Sequence, residues 1–269
     1  MRLDRWLYLH KDLKSRQRAL YLIKNGLVHV NGKRITKAGY DVKDNDLITL
    51  STNDLKFVGR GGYKLEHAIH NFKLDFYNKI VLDIGACTGG FTDCALYYGA
   101  KHVYAVDVGH GQLDKKLLLD ERVTNFEGIN IKDMTNSSIP TCDFVVSDVS
   151  FISITKILED IKRFLKNTGY AIVLIKPQFE VGRMHNKNGV VKNKQLHIEV
   201  LERTIQFAST TFYVDNIDYS PIKGGDGNIE FLLLLKYGVG MNHMNIKMLV
   251  EKAHQELKGR NKDECSNHL

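Results

Sequence analysis

Cysteine is scarce in this chain, and its placement matches neither a disulfide framework nor a metal site. The 269 residues include only Cys87, Cys94, Cys142 and Cys265. No two of them form a Cys-x-x-Cys pair, and none has a histidine partner at metal-ligand spacing. We therefore expect reduced thiols, as is typical of a cytosolic protein, and no metal site.

Long hydrophobic runs are also missing. No 18 apolar residues follow one another, and the strongest run, Phe231 to Leu235, has the length of a strand. The start of the chain, Met1 to Trp6, lacks the apolar region of a secretory signal. These absences argue against a transmembrane or secreted protein, so we expect a soluble, cytoplasmic protein that does not act at a membrane.

The excess of positive charge is confined to the first quarter of the chain. Residues 1–62 carry 13 Lys and Arg against six Asp and Glu, whereas the remainder carries 25 of each. At about 150 residues per domain, the length suggests two domains. A small basic segment joined to a neutral one points to nucleic acid as the partner, because phosphate neutralisation supplies most nonspecific affinity. A merely solvated basic surface is the alternative.

The basic segment has the signals of a small α+β domain. Apolar spacing predicts a short amphipathic helix near the start and a second helix that Ser15 caps and Gly26 ends. Asn31-Gly32 between alternating apolar residues predicts a hairpin, and residues 46–50 a further strand. The candidates for phosphate contact are Arg5, Arg16, Arg18, Lys33 and Lys37.

A glycine-rich turn follows a buried strand predicted at Ile80 to Ile84, and the next apolar strand ends in an acid. Such a turn lets a ligand approach the backbone, and the acid can take both ribose hydroxyls. The spacing matches neither a dinucleotide motif nor a P-loop, which favours S-adenosylmethionine, a ligand with adenosine but no phosphate. An ordinary strand–turn–helix with glycines for packing is the alternative. The candidate cofactor residues from this pattern are Asp83, Gly85, Gly89, Gly90, Phe91 and Asp107.

Strands and helices alternate through the rest of the chain, which predicts a doubly wound, Rossmann-like parallel sheet ended by one antiparallel strand. Helices are expected at about 63–72, 153–167, 194–209 and 244–257, and a closing hairpin at 211–219 and 229–236. The predicted divisions are an RNA-binding domain at 1–58, a linker at 59–62, a catalytic domain at 63–240, and a C-terminal helix and tail at 241–269.

Four charged side chains should meet at the carboxyl edge of this sheet, where open α/β sheets bind ligands. Asp148 and Lys176 end the fourth and fifth strands, and Glu230 begins the antiparallel strand at the same edge. Lys64 lies on the helix that enters the first strand. Burying a lysine at the end of an apolar strand costs free energy unless acidic side chains pair with it. Taken singly, each of these residues is equally well explained as a solvated strand end.

The motifs resemble those of the TlyA family, whose members join an S4-type RNA-binding domain to an FtsJ-like methyltransferase domain and often carry the label haemolysin. Arg2-Leu-Asp4 and Val28-His-Val-Asn-Gly32 resemble the S4 domain. The loop Asp83-Ile-Gly-Ala-Cys-Thr-Gly-Gly-Phe91 resembles the family's cofactor loop, with Cys87 where serine is usual. The resemblance implies a catalytic tetrad of Lys64, Asp148, Lys176 and Glu230, and further cofactor contacts from Ala86, Cys87, Asn130 and Asp148.

The resemblance implies S-adenosylmethionine-dependent 2′-O-methylation of ribosomal RNA, within ribosomal subunits. Lys176 is the better candidate for the base, because a desolvated lysine beside another cation has a lowered pKa. Two other interpretations stay open: an RNA-binding assembly factor with a vestigial cofactor site, and a membrane-active haemolysin.

Overall fold

A computed structural model divides the chain into two compact units, and the boundary in the sequence lies between Lys56 and Phe57. It describes residues 1–11, 13, 16–24, 26–50, 56–135, 137–181 and 189–258. The side chains of residues 17, 18, 21 and 24 are not described. The predicted cap at Ser15, the side chain of Arg18, the cysteine at position 265 and the predicted tail therefore lie outside the described residues.

The N-terminal unit packs two helices on a three-stranded antiparallel sheet of order β2-β1-β3. Its hairpin was predicted correctly: Val30 pairs with Lys33, and both turn residues, Asn31 (φ 52°) and Gly32 (φ 75°), have left-handed backbone. A two-residue hairpin turn requires that geometry because it matches the strand twist. The elements are α1 (Leu3–His10), α2 (Arg16–Lys24), β1 (Val28–Val30), β2 (Lys33–Arg34) and β3 (Ile48–Leu50).

The second unit contains an eight-stranded sheet. Its strands are β4 (Ile80–Ile84), β5 (His102–Asp107), β6 (Val123–Glu127), β7 (Cys142–Ser147), β8 (Leu165–Ile175), β9 (Tyr213–Tyr219), β10 (Phe231–Lys236) and β11 (Gly240–Met241). Their order in the sheet is β11-β9-β10-β8-β7-β4-β5-β6. Its helices are α3 (Gly61–Asn71), α4 (Gly90–Tyr97), α5 (Lys115–Leu118), α6 (Leu158–Phe164), α7 (Pro177–Glu180), α8 (Lys194–Ala208) and α9 (Ile246–Glu256).

The predicted α/β class is confirmed, because every strand pairing in this sheet is parallel except the two that β10 makes. Alternate residues of each strand enter two hydrophobic cores, one on each face: Leu82 joins one and Val81 the other. The antiparallel strand was expected to end the sheet, but it lies between β8 and β9, and β11 was not foreseen. Phe231 pairs with Ile175, so the start of β10 does lie at the carboxyl edge of β8.

Two of the predicted boundaries need correction. Residues 59–62 do not form a separate linker: α3 begins at Gly61, and Phe57 is buried in the core of the second unit. The helix expected at 153–167 ends at Phe164, because the chain there turns into β8. The helix expected at 244–257 is present as α9, and its buried side chains join the core under β9. Among the described residues, no helix combines the length and apolar character needed to cross a membrane.

Removing the ring of Phe57 should destabilise the second unit, although this residue falls in the predicted N-terminal domain. Phe57 is 2% exposed and meets Tyr63 edge-to-face at 5.4 Å. We expect Phe57→Ala to lower the free energy of unfolding by roughly 3–5 kcal/mol, the usual cost of emptying a buried phenylalanine site. Denaturant unfolding measures this change. The control Leu119→Ala, at an 84% exposed position, should change it by no more than about 0.5 kcal/mol. An equally small effect of Phe57→Ala would show that the boundary is misplaced.

Candidate active site

Four predicted side chains meet at the carboxyl edge of the sheet in a chain of ion pairs. Lys64 Nζ lies 2.8 Å from Asp148 Oδ2 and 2.7 Å from Glu230 Oε2. Lys176 Nζ lies 2.7 Å from Asp148 Oδ1. The order is therefore Glu230–Lys64–Asp148–Lys176, with Asp148 between the two lysines. Lys64, Lys176 and Glu230 are buried, so each charge needs the partners that this arrangement supplies.

The electrostatics distinguish the two lysines. Burial alone would lower the pKa of Lys64, but Asp148 and Glu230 outweigh it and raise that pKa above its ordinary value. Burial likewise acts to raise the pKa of Asp148, but the two ammonium groups hold it below its ordinary range. Lys64 is therefore the fixed cation of the cluster and Asp148 the fixed anion. Lys176 has one carboxylate partner, Asp148, where Lys64 has two.

Two further residues of this site come from the loop after β7 and were not foreseen. Ser150 Oγ lies 2.8 Å from Lys176 Nζ. Phe151 has left-handed backbone (φ 67°) and is 91% exposed, next to the ring of Phe179. An aromatic residue held in that backbone region is strained, and such strain concentrates at functional sites. The sequence offered one signal only, which is that both residues follow closely after the predicted Asp148.

A cavity of about 500 Å³ opens beside the tetrad, at the ends of β4, β5 and β7. Such a volume suits a small molecule of cofactor size. The walls are mostly apolar, with three separate polar side chains: Asp107 at the end of β5, Asn130 after β6 and Asp148 after β7. The Asp107 carboxylate accepts the backbone N–H groups of Cys87 at 2.8 Å and Gly109 at 2.7 Å. The Asn130 amide oxygen accepts from Lys132 N at 3.1 Å.

These residues fit S-adenosylmethionine. A carboxylate offers about four acceptor sites, so Asp107, with two of them used, can still receive two ribose hydroxyls. Of the other predicted cofactor residues, Gly85 and Cys87 also line the cavity. Gly85 has φ 82°, and an added Cβ would come within 3.3 Å of the Val149 backbone, so this turn demands glycine.

Five of the predicted cofactor residues, Asp83, Ala86, Gly89, Gly90 and Phe91, do not line this cavity. Phe91 is buried in the core, and an added Cβ at Gly90 would lie 2.9 Å from Gly62 N on the neighbouring helix. Asp83 is fully buried and accepts from Thr92 Oγ1 at 2.7 Å. Burial raises the pKa of Asp83 to about 7. These positions build and support the cofactor loop, and direct contact with the cofactor stays a prediction for them.

Replacing Asp107 should weaken cofactor binding. We expect Asp107→Ala to reduce the affinity for S-adenosylmethionine by about 1–3 kcal/mol, because two ribose hydroxyls would lose their acceptor. Isothermal titration calorimetry measures the change. Glu121→Ala, on the surface ahead of β6, is the control and should bind as the parent does. If Asp107→Ala bound as tightly as the parent, the ribose assignment would be wrong.

The predicted phosphate ligands of the N-terminal unit divide into two groups. Arg5, Lys33 and Lys37 are exposed. Arg16 instead donates through Nε and Nη2 to the buried carboxylate of Asp4, at 2.8 and 2.7 Å. Arg16 therefore helps to hold this unit together, although its side chain remains half exposed. The structure does not describe the side chain of Arg18, so its contact with phosphate stays a prediction.

Comparison with known proteins gives the same two domains. The family model for FtsJ-like methyltransferases matches residues 57–237, and the S4 domain model matches residues 1–48. Hemolysin A of Brachyspira hyodysenteriae is 46% identical over 86% of this chain and 98% of its own length. The 16S/23S rRNA (cytidine-2′-O)-methyltransferase TlyA of Mycobacterium tuberculosis is 36% identical over 87% and 89%. A solved protein from Streptococcus thermophilus, described as a candidate hemolysin, superposes with a TM-score of 0.78 at 41% identity, covering 96% of this chain and 97% of its own.

A mostly parallel sheet with a cofactor cavity at its carboxyl edge and a Lys–Asp–Lys–Glu cluster beside it defines an FtsJ-like, S-adenosylmethionine-dependent methyltransferase. With an S4 domain ahead of that catalytic domain and relatives of this identity along most of its length, the chain belongs to the TlyA family.

Proposed function

We propose that this protein transfers a methyl group from S-adenosylmethionine to a ribose 2′-hydroxyl of ribosomal RNA. The observation that carries the proposal is the tetrad of alternating charges, in which Lys64, Lys176 and Glu230 are buried and Asp148 lines the cofactor cavity. A hydroxyl is a poor nucleophile until a base removes its proton. A buried lysine beside the cofactor site supplies such a base, and this supports an oxygen acceptor.

The four side chains have separate roles in this mechanism. When bound, the cofactor supplies a methyl group on a sulfonium, which an oxygen nucleophile can attack. Lys176 in its neutral form takes the proton of the 2′-hydroxyl on Nζ. Lys64 remains charged and keeps Asp148 ionised, and Asp148 orients the Lys176 amine through its Oδ1 contact. Glu230 balances the charge of Lys64. Most of the rate then comes from holding the hydroxyl in line with the methyl group.

Recognition of the RNA is assigned to two parts of the chain. The N-terminal unit offers exposed Arg5, Lys33 and Lys37 to phosphates, in keeping with an S4 domain. In the catalytic unit, the exposed ring of Phe151 at the site suits stacking against an unpaired base. We further propose that the substrate is ribosomal RNA assembled in ribosomal subunits, which implies a cytoplasmic location.

A methyl-transfer assay tests this function. Purified protein is incubated with S-adenosylmethionine labelled in its methyl group and with ribosomal subunits, either intact or deproteinised, from cells that lack the protein. We expect label in the RNA, and more with intact subunits than with deproteinised RNA. RNA binding without label in either substrate would contradict methyl transfer and would favour an RNA-binding factor with a vestigial cofactor site.

A further inference from the structure

Ser150 contacts the amine of Lys176 from the loop that follows β7. The Lys176 nitrogen lies 2.7 Å from Asp148 Oδ1, 2.8 Å from Ser150 Oγ and 3.4 Å from the main-chain oxygen of Asp148. An ammonium group has three N–H donors, whereas a neutral amine has two and one lone pair. The two short contacts therefore account for both donors of a neutral amine and leave its lone pair for an incoming proton.

The position of Ser150 relates this amine to the cofactor cavity. Ser150 and Asp148 line the cavity, and Lys176 does not. Ser150 is exposed, whereas Lys176 is only 7% exposed. The Ser150 hydroxyl thus contacts the buried Lys176 amine, and Ser150 also lines the cavity in which cofactor and substrate are expected to bind.

The loop that carries Ser150 is held at its far end as well. Glu180 accepts from Ser153 Oγ at 2.6 Å and from the backbone N–H of Ile154 at 2.9 Å. Glu180 ends the short helix that begins directly after Lys176. The segment that carries Lys176 and the loop that carries Ser150 therefore contact each other at two places, one through Lys176 and one through Glu180. This second contact helps to hold Ser150 in position against Lys176.

We propose that Ser150 is a positioning residue for methyl transfer, whose hydroxyl holds the Lys176 amine with its lone pair directed to the incoming ribose hydroxyl. This inference rests on the proposed function, and it adds a residue outside the tetrad on which that function depends. Ser150 acts through Lys176: the proton moves from the ribose oxygen to Nζ, and the serine hydroxyl keeps its own proton.

The proposal predicts a change in pH dependence. The groups that face the Lys176 amine are Asp148 and Ser150 from the β7 loop and the Phe179 ring, 6.0 Å away on α7. Lys64 and Glu230 act on it through Asp148, and Glu180 is the next charge along the chain. Ser150 stabilises the ammonium more than the amine, because a hydrogen bond from a charged donor is the stronger one. Without it, Lys176 should lose its proton at lower pH.

Single-turnover methyl transfer across a pH series tests the inference, with cofactor affinity measured in parallel. For Ser150→Ala we expect a rate at the high-pH plateau lower by about tenfold to a hundredfold, the cost of a misaligned group. The acid limb of the profile, where the rate rises with pH as Lys176 loses its proton, should move to lower pH. Ser150→Thr, which keeps the hydroxyl, should restore both the plateau and the limb. Ser138→Ala removes an exposed hydroxyl ahead of β7, outside the loop that carries Ser150, so it should leave the limb in place.

Three outcomes would overturn the proposal. One is a Ser150→Ala profile equal to that of the parent. Another is a lower plateau with an unmoved limb, which is what a purely structural loop residue would give. The third is an equal shift of the limb in Ser138→Ala. Failure of the proposed function is recognised separately, because the parent protein itself would then transfer no methyl group.

Discussion

Lys176→Ala should almost abolish methyl transfer and leave both ligands bound. Removing a general base typically costs about 10²–10⁴ in rate, so a small residual activity is expected. The affinities for S-adenosylmethionine and RNA should stay near those of the parent, because Lys176 does not line the cofactor cavity and acts only on the reacting hydroxyl. Single-turnover kinetics with saturating cofactor measure the rate, and calorimetry measures cofactor binding.

A matched lysine on the same sheet provides the control for this variant. Lys236 ends β10 and forms an ion pair of 2.7 Å with Asp215, at the opposite end of the strand from Glu230. Lys236→Ala should therefore methylate at the parent rate. Lys64→Ala should resemble Lys176→Ala, and the double variant should lose much less than the product of the two effects, because the cluster acts as one unit. A parent rate in Lys176→Ala would show that the proposed site is misplaced.

A chain that begins at Phe57 should bind the cofactor but lose most of its affinity for ribosomal RNA. Residues 1–56 hold twelve Lys and Arg against six Asp and Glu, which is most of the net charge of +7. For the intact protein, log affinity should fall with log salt by about 0.7–0.9 per phosphate contact, the range between single strands and duplex DNA, and the shortened chain should show a smaller slope. Filter binding over a salt series measures both quantities.

The intact chain with Arg5, Lys33 and Lys37 all replaced by alanine separates charge from domain loss. Its N-terminal unit should stay folded, because these three side chains are exposed. The slope of its log RNA affinity against log salt concentration should lie between the slopes of the intact and the shortened chain. Equal RNA affinity of the shortened and the intact chain would contradict the docking role of the N-terminal unit.

Strand ends and chain order were enough to predict the tetrad's place. Asp148 and Lys176 each follow an apolar run, and parallel strands bring their ends to one edge of the sheet. An antiparallel strand reverses that relation, and so Glu230 was assigned to the same edge before the structure showed the pairing of Phe231 with Ile175. The position of a residue along a strand is a local property, and the sequence alone is therefore enough to predict it.

Contacts between distant segments were not predictable in the same way. The glycines at 61 and 62 were interpreted as part of a linker, yet Gly62 lies under Phe57 and leaves room for its ring. Gly90 was assigned to the cofactor, yet it allows two helices to approach closely. A glycine that leaves room for a ligand and a glycine that leaves room for a neighbouring helix look the same in the sequence. The contact of Ser150 with Lys176 depends on a loop conformation that no local signal specifies.

The chemical identity of the methylated product tests the central claim most directly. Ribosomal RNA labelled by the protein is digested to nucleosides, and the labelled nucleoside is identified by mass spectrometry. We predict that the methyl group is on the ribose 2′-oxygen, that it is found at defined positions, and that Lys176→Ala yields none of it. A methyl group on a base would contradict the account, because the proposed base would then act on the wrong atom.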